Sequence, residues 1–335
     1  MSRQLNDTKN KTIQNVNNQI DIANPQGWNG KQMKSGFICI TGLANAGKST
    51  LINSLVGEKV AIVSWRPQTT RNKILGIVNG TDESGEDYQV VFIDTPGIHS
   101  AKNHLGDYMM KSVEVGLKDV DGILYVVDTA KGLQKEDYEF IEKHAEGKPL
   151  IVVLNKEDAV TKTTMLDVLQ KLTAFPQIKA VVPASAKKGE NLEPIMNELL
   201  ALLPEGVQMF PEDMFTDSSM RFMAAEIIRE KGLYLLDKEI PYGIGVYINK
   251  FEMREDKPIY EIDADIVVEK QSHKAIVIGK GGSTLKQIAS AARKDLEEMT
   301  GEQVFLTLYV KAKPDWRNSD YLMRELGYDI KDLKK

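Results

Sequence analysis

The sequence predicts an α/β domain with a mostly parallel sheet, followed by a smaller α+β domain. Three observations carry that expectation. From Gly36 to about Pro204, short apolar runs alternate with amphipathic stretches, the pattern of buried strands joined by crossover helices. A Gly-rich turn, Gly42-Leu43-Ala44-Asn45-Ala46-Gly47-Lys48-Ser49, links the first such run directly to a helix. Beyond residue 218 the order changes to helix, two alternating strands, a pair of helices about a Gly-x-x-Gly turn, and a last strand.

The first domain is expected over residues 36–204. Residues 37–40 read as a buried strand and Lys48 starts a helix. Residues 73–78 and 88–93 flank a polar turn containing Gly85 and read as an antiparallel hairpin. Residues 122–127, 150–154 and 180–182 are further strands, each reached through a helical segment. Right-handed crossovers gather the strand ends, and the loops after them, on one edge of the sheet. Residues 205–217, with Gly206 and Pro211, read as a linker, and 218–335 as the second domain. Residues 1–35 are Asn/Gln-rich with scattered apolar side chains, so a disordered polar tail is expected there, without the apolar core of a signal peptide.

Composition bounds the function. A chain of 335 residues suggests two domains, and its 42% apolar and 27% charged residues are those of a soluble globular protein. The single cysteine, Cys39, excludes an intramolecular disulfide framework and suits a reducing cytosol; within an apolar run it reads as a small buried residue. No apolar run has the length of a bilayer span. A net charge of −5 argues against a surface coated with nucleic acid, but leaves room for a local basic patch.

Four motifs sit just past strands. In the Gly-rich turn, Gly42 and Gly47 let the backbone curl, so that N–H groups through Ala46, Ser49 and Thr50 face phosphate oxygens beside a helix N-terminus. Lys48 would reach the β- and γ-phosphates and Ser49 would offer its hydroxyl to magnesium. In Asp94-Thr95-Pro96-Gly97, Asp94 would hold the metal through water and the Gly97 N–H would sense the γ-phosphate. In Asn155-Lys156-Glu157-Asp158, the Asp158 carboxylate can accept from guanine N1–H and N2–H, Lys156 would lie over the ring, and Asn155 would brace the loop. The backbone of Ser185-Ala186-Lys187 would close over guanine O6. Adenine would leave Asp158 desolvated and unpaired, so the ligand is expected to be GTP or GDP with Mg2+. These motifs predict a P-loop NTPase domain of the Ras-like, guanine-binding kind.

Ile98 follows Gly97, where Ras-like proteins place a glutamine that orients the attacking water. An isoleucine side chain cannot do so, and slow intrinsic turnover is expected. His99 reads as a surface side chain. Asn45 could bind a monovalent cation, K+, beside the phosphates and so supply charge to the reaction. The alternative is that it braces the segment Val63-Ser64-Trp65-Arg66-Pro67-Gln68-Thr69-Thr70-Arg71, which is placed as switch I. Thr70, with Thr69 as the alternative, would meet magnesium when the γ-phosphate is present. The residues assigned to the reaction are thus Lys48, Thr70, Gly97 and Asn45, and those assigned to the metal are Ser49, Thr70 and Asp94.

The element order of the second domain is that of a type II KH domain. Its turn, Gly279-Lys280-Gly281-Gly282, permits close approach of a nucleic-acid backbone. Between Ile266 and Lys294 stand six Lys/Arg against one acid, Glu269. The RNA-binding set is Gly279, Lys280, Gly281 and Gly282 with Lys274, Lys286 and Arg293; the competing reading is a dimerisation or scaffold domain. Tyr234, Tyr242 and Tyr247 are left unassigned, and Trp316 could lie inside or outside the core.

At this point the chain closely resembles the Era family, bacterial GTPases of the TrmE–Era group, over about residues 36–330. The carriers are the Asn45-containing loop, Pro67-Gln68-Thr69-Thr70-Arg71, Asp94-Thr95-Pro96-Gly97-Ile98-His99, the Asn155 motif and Val277-Ile278-Gly279-Lys280-Gly281-Gly282. More specific still are Phe210-Pro211-Glu212-Asp213 and Arg221-Phe222-Met223-Ala224-Ala225-Glu226-Ile227-Ile228-Arg229-Glu230. The resemblance implies a monomeric, cytoplasmic, GTP-controlled assembly factor of the small ribosomal subunit. Its KH domain would grip the pyrimidine-rich, single-stranded 3′ end of the small-subunit ribosomal RNA, and it would make peripheral contact with the inner membrane. The polar N-terminal extension and the acidic net charge depart from the family pattern. Two other readings compete: a guanine-nucleotide-sensing RNA-binding regulator with incidental hydrolysis, and a relative acting in tRNA modification, for which the extra domain and cofactor site are missing.

Overall fold

A computed structural model describes residues 32–144, 147–331 and 333. The tail expected over 1–35 therefore falls largely outside the described residues. Residues 32–35, however, belong to the first strand, β1 (Gln32–Thr41).

The first sheet has the order β2 (Ile74–Thr81), β3 (Asp87–Asp94), β1, β4 (Gly122–Asp128), β5 (Leu150–Asn155), β6 (Ile178–Pro183). β2 and β3 form the expected antiparallel hairpin; β1 lies parallel to β3 and β4, and β5 parallel to β4 and β6. Alternation along β1 explains the layering: Ile38 and Ile40 enter one core and Cys39 the other, so both faces are covered. Burial also pushes the Cys39 thiol pKa well up, which leaves it unreactive. The helices α1 (Lys48–Val56), α2 (His104–Gly116), α3 (Lys135–His144), α4 (Lys162–Leu172) and α5 (Leu192–Leu200) supply the two outer layers.

The stretch expected to be a linker is tied to this sheet. Residues 205–207 form β7 (Glu205–Val207), antiparallel to β1 with Gln32 opposite Val207. The buried Gln89 side chain accepts from the Met209 and Phe210 N–H groups at 2.7 and 2.9 Å, and Ile77 N–H donates to Phe215 O at 3.0 Å. Gly206 and Pro211 made this stretch look free; the Gln89 side chain, remote in sequence, holds it down.

The second domain begins at α6 (Met220–Leu235), whose first turn is capped by the Ser219 hydroxyl accepting from Phe222 N–H. Its sheet has the order β10 (Gln303–Ala312), β9 (Ile259–Val268), β8 (Gly245–Met253), with β9 and β10 parallel. Between β9 and β10 run α7 (Gln271–Ile278), the glycine turn and α8 (Ser283–Thr300); a short α9 (Asp320–Glu325) follows β10. Ile262, Ala264, Ile266 and Val268 of β9 meet Ile288, Ala292 and Leu296 of α8 in one core. Trp316 lies inside, fully buried, with its indole N–H donating to Gly243 O at 2.9 Å. It belongs to a separate cluster in which Leu105, Tyr108 and Met109 of α2 pack against Val267, Met323 and Tyr328, so the two domains share apolar contacts.

Candidate functional site

The Gly-rich turn closes over the end of β1 with left-handed backbone at Gly42, Asn45 and Gly47. At Gly47 the glycine is required: a Cβ there would stand 2.2 Å from the Asn155 amide nitrogen. That amide donates to Ala46 O at 2.8 Å, and its oxygen accepts from Ala186 N–H at 3.0 Å. Asn155 therefore ties three of the four motifs together. The fourth comes alongside through Ile98 N–H, which donates to Gly42 O at 3.2 Å.

Lys48 is buried and folded over the turn, its ammonium donating to Gly42 O and Leu43 O at 3.0 and 2.9 Å. Burial lowers its pKa to about 8, against the opposing pull of Asp94. Burial likewise raises the Asp94 carboxyl to about 6, although Lys48 and the Ser49 and Thr70 hydroxyls work the other way. Asp94 Oδ2 accepts from Ser49 Oγ at 3.0 Å and from Thr70 Oγ1 at 3.2 Å, and the two hydroxyls are 2.7 Å apart. Asp94 Oδ1 is buried without a partner. Two hydroxyls and one carboxylate, one of whose oxygens is unsatisfied, make an all-oxygen set suited to Mg2+. Thr95 points elsewhere: its hydroxyl donates to Ile40 O at 3.0 Å and pins the turn to β1.

In the loops after β5 and β6, the Ser185 hydroxyl donates to Asp158 Oδ1 at 2.7 Å. That bond is the main reason the exposed Asp158 carboxyl sits below the usual carboxylate range. Lys156 adopts left-handed backbone and reaches Asn45 O at 2.8 Å and Asp128 Oδ2 at 2.7 Å. Asp128 was missed by sequence reasoning; its position at the end of β4, on the loop-bearing edge, is the signal that could have found it. Lys187 is exposed and Ser185 and Ala186 are buried.

One smaller expectation changes. His99 is not a simple surface side chain: Nδ1 lies 2.8 Å from Gly97 O and Nε2 is buried. Asn45 donates from its amide to Trp65 O at 2.9 Å, the geometry of a brace on switch I.

In the second domain, Gly279, Gly281 and Gly282 all take positive φ, which turns the chain sharply from α7 into α8. Beside the turn lies a groove of about 700 Å³ lined by Lys274, Ile278, Leu285, Leu308, Tyr309 and Val310, among others. Lys280, Lys286 and Arg293 are exposed on the turn and on α8, and Arg293 is engaged by Glu297 at 3.6 Å. Asp263 and Asp265 also line the groove, and Asp265 pairs with Lys311 at 2.7 Å. Sequence reasoning did not place these acids there.

Residues 37–156 match the family described as 50S ribosome-binding GTPase, and residues 239–317 match the KH domain family. GTPase Era of Alkaliphilus metalliredigens is 43% identical over 297 residues, covering 88% of this chain and 99% of that protein. GTPase Era of Ruminiclostridium cellulolyticum is 44% identical, covering 88% and 97%. The chain belongs to the Era GTPase family. Solved Era structures agree over both domains. A variant of Aquifex aeolicus Era bound to GDP·AlF4− superposes with a TM-score of 0.84 at 39% identity, covering 89% of this chain and all of that one. Era in complex with MgGDPNP and nucleotides 1506–1542 of 16S ribosomal RNA matches with the same score, identity and coverage. The first domain is thus a GTP-hydrolysing G domain, and the second a KH domain.

Proposed function

We propose that this Era GTPase binds the 3′ end of the small-subunit ribosomal RNA in its KH groove and uses GTP hydrolysis to time its release during small-subunit assembly. The reading is supported above all by Thr70. Its hydroxyl is 3.2 Å from Asp94, while its neighbour Arg71 is bonded to the second domain through Ile244 O at 2.7 Å. One segment therefore touches both the metal site and the RNA-binding half. The solved complex of a relative with MgGDPNP and 16S ribosomal RNA supports the same ligands here.

Lys48 and the N–H groups of residues 46–50 would cradle the phosphates. Ser49, Thr70 and Asp94 would hold Mg2+, which when bound neutralises charge on the β- and γ-phosphates. Asp158 would select guanine, Lys156 would cover its ring from a position fixed by Asp128, and Gly97 N–H would face the γ-phosphate. Lys280, with Lys274, Lys286 and Arg293, would meet RNA phosphates. Ile98 offers the attacking water no hydrogen bond, so intrinsic turnover is slow. A K+ ion at the Asn45 amide would add the missing positive charge. Its test is the ratio of turnover in potassium to that in sodium, expected to fall to unity in Asn45→Ala.

The deciding experiment is the GTPase rate with and without an oligonucleotide of the ribosomal RNA 3′ end. Stimulation is expected. Indifference would favour the regulator that senses guanine nucleotides and hydrolyses them incidentally. The site of action is the cytoplasm. Among the described residues no helix is long and apolar enough to cross a membrane; contact with the inner membrane would be peripheral, and vesicle co-sedimentation tests it.

A further inference from the structure

We propose that Arg71 is a positioning residue for GTP hydrolysis: anchored in backbone carbonyls of the KH domain, it holds Thr70 in the metal site, so that the second domain completes the closed switch. Thr70 is fixed from both sides by groups of that domain. Before it, Thr69 O accepts from Arg229, whose guanidinium is locked by Glu226 through Nε–Oε1 at 2.8 Å and a second, parallel bond. After it, Arg71 donates to Ile244 O at 2.7 Å and Tyr242 O at 3.1 Å. Two earlier anchors hold the rest of the segment: Val63 N–H donates to Glu230 Oε1 at 2.9 Å, and Arg66 Nε donates to Leu233 O at 2.5 Å.

The chemistry of Arg71 is unusual for a residue that only fills space. It is fully buried, and its Nε has no hydrogen-bond partner. Among the described residues no carboxylate lies within ion-pair distance of it; carbonyl dipoles and the Tyr328 hydroxyl at 3.5 Å do the compensating. Burying a cation this way costs stability that an apolar side chain of equal volume would not. What the arginine alone provides is a directional, two-pronged grip on the second domain, one residue from the Thr70 hydroxyl. Loss of that grip frees Thr70 to leave Ser49 and Asp94. GDP makes no demand on Thr70, because the threonine meets the metal only when the γ-phosphate is present. The inference rests on that reading of Thr70.

The test compares the affinities of GDPNP and GDP, kcat and thermal stability for Arg71→Met, Arg71→Lys, Glu230→Gln and Thr70→Ala in the full chain. Arg71→Met is expected to lower the GDPNP-to-GDP affinity ratio about tenfold, lower kcat to a similar degree, and leave GDP affinity unchanged. Arg71→Lys recovers part of both losses. Glu230→Gln keeps the volume but weakens the Val63 anchor together with the Lys59 and Lys231 ion pairs, both at 2.8 Å, so a smaller fall in the same ratio is expected; Arg71→Lys decides the matter if Arg71→Met does not fold. A folded Arg71→Met with the wild-type ratio, or one that loses GDP and GDPNP equally, overturns the proposal. If Thr70→Ala keeps the wild-type ratio, the reading of Thr70 fails on its own account and the proposal falls with it.

Discussion

At the scale of single residues, the proposed metal site sets stability against function. Asp94 is fully buried, and its carboxyl titrates near 6, above the ordinary carboxylate value. Because the folded-state pKa lies above the unfolded one, the ionised carboxylate destabilises the nucleotide-free fold. The cost is complete above about pH 6 and fades as the pH falls towards 4, where the folded group gains its proton first. Asp94→Asn should therefore stabilise the nucleotide-free protein at pH 7 by up to about 3 kcal/mol, with the gain vanishing near pH 4, and should abolish magnesium-dependent GDPNP binding. Denaturant melts at several pH values check this; equal or lower stability of the variant at pH 7 would contradict it. A polar group kept buried at such a cost is one of the few places where local sequence logic and local stability disagree, as expected at a working site.

Among the elements, α6 and the glycine turn behave differently. The turn was readable because glycine is the residue that takes positive φ without strain, and its basic neighbours follow in sequence. Lys280→Glu should weaken binding of the single-stranded RNA oligonucleotide, reduce the slope of log affinity against log salt by about one, and leave GTP affinity alone. Salt-dependent titrations measure all three, and an unchanged RNA affinity would remove Lys280 from the interface. Helix α6 was readable only in part. Its apolar residues Ala224, Ile227 and Ile228 pack into the KH core, but Glu226, Arg229 and Glu230 are buried as well. An amphipathic pattern assigns such charges to solvent; here they face switch I of the other domain.

For the molecule as a whole, the two domains are joined by more than the linker. Switch I is bonded to α6 and the turn after it, and Leu105, Tyr108 and Met109 of α2 pack against Trp316, Met323 and Tyr328. Switch I and α2 of the G domain therefore both touch the KH domain. The RNA oligonucleotide is expected to bind several-fold more tightly with GDPNP than with GDP, and the difference to shrink in Arg71→Met. The same affinity with GDP, GDPNP and an empty pocket would mean that the domains do not communicate.

The sequence by itself determined the sheet-and-helix order, the phosphate turn, the guanine motif and the KH turn. Each of these is a contiguous string whose residue types are dictated by backbone geometry or by the ligand. Lys48, Ser49, Asp94, Asn155 and Asp158 could be placed because every one stands at or just past the end of a strand on one sheet edge. The tertiary structure alone decided that Asp128 orients Lys156, that Gln89 straps down the segment after β7, and that Arg66, Arg71, Arg229 and Glu230 bind switch I to the second domain. Those groups are separated by 28 to 173 residues along the chain. Their pairing depends on how whole elements pack, and a charged side chain carries no local mark of the partner that will bury it.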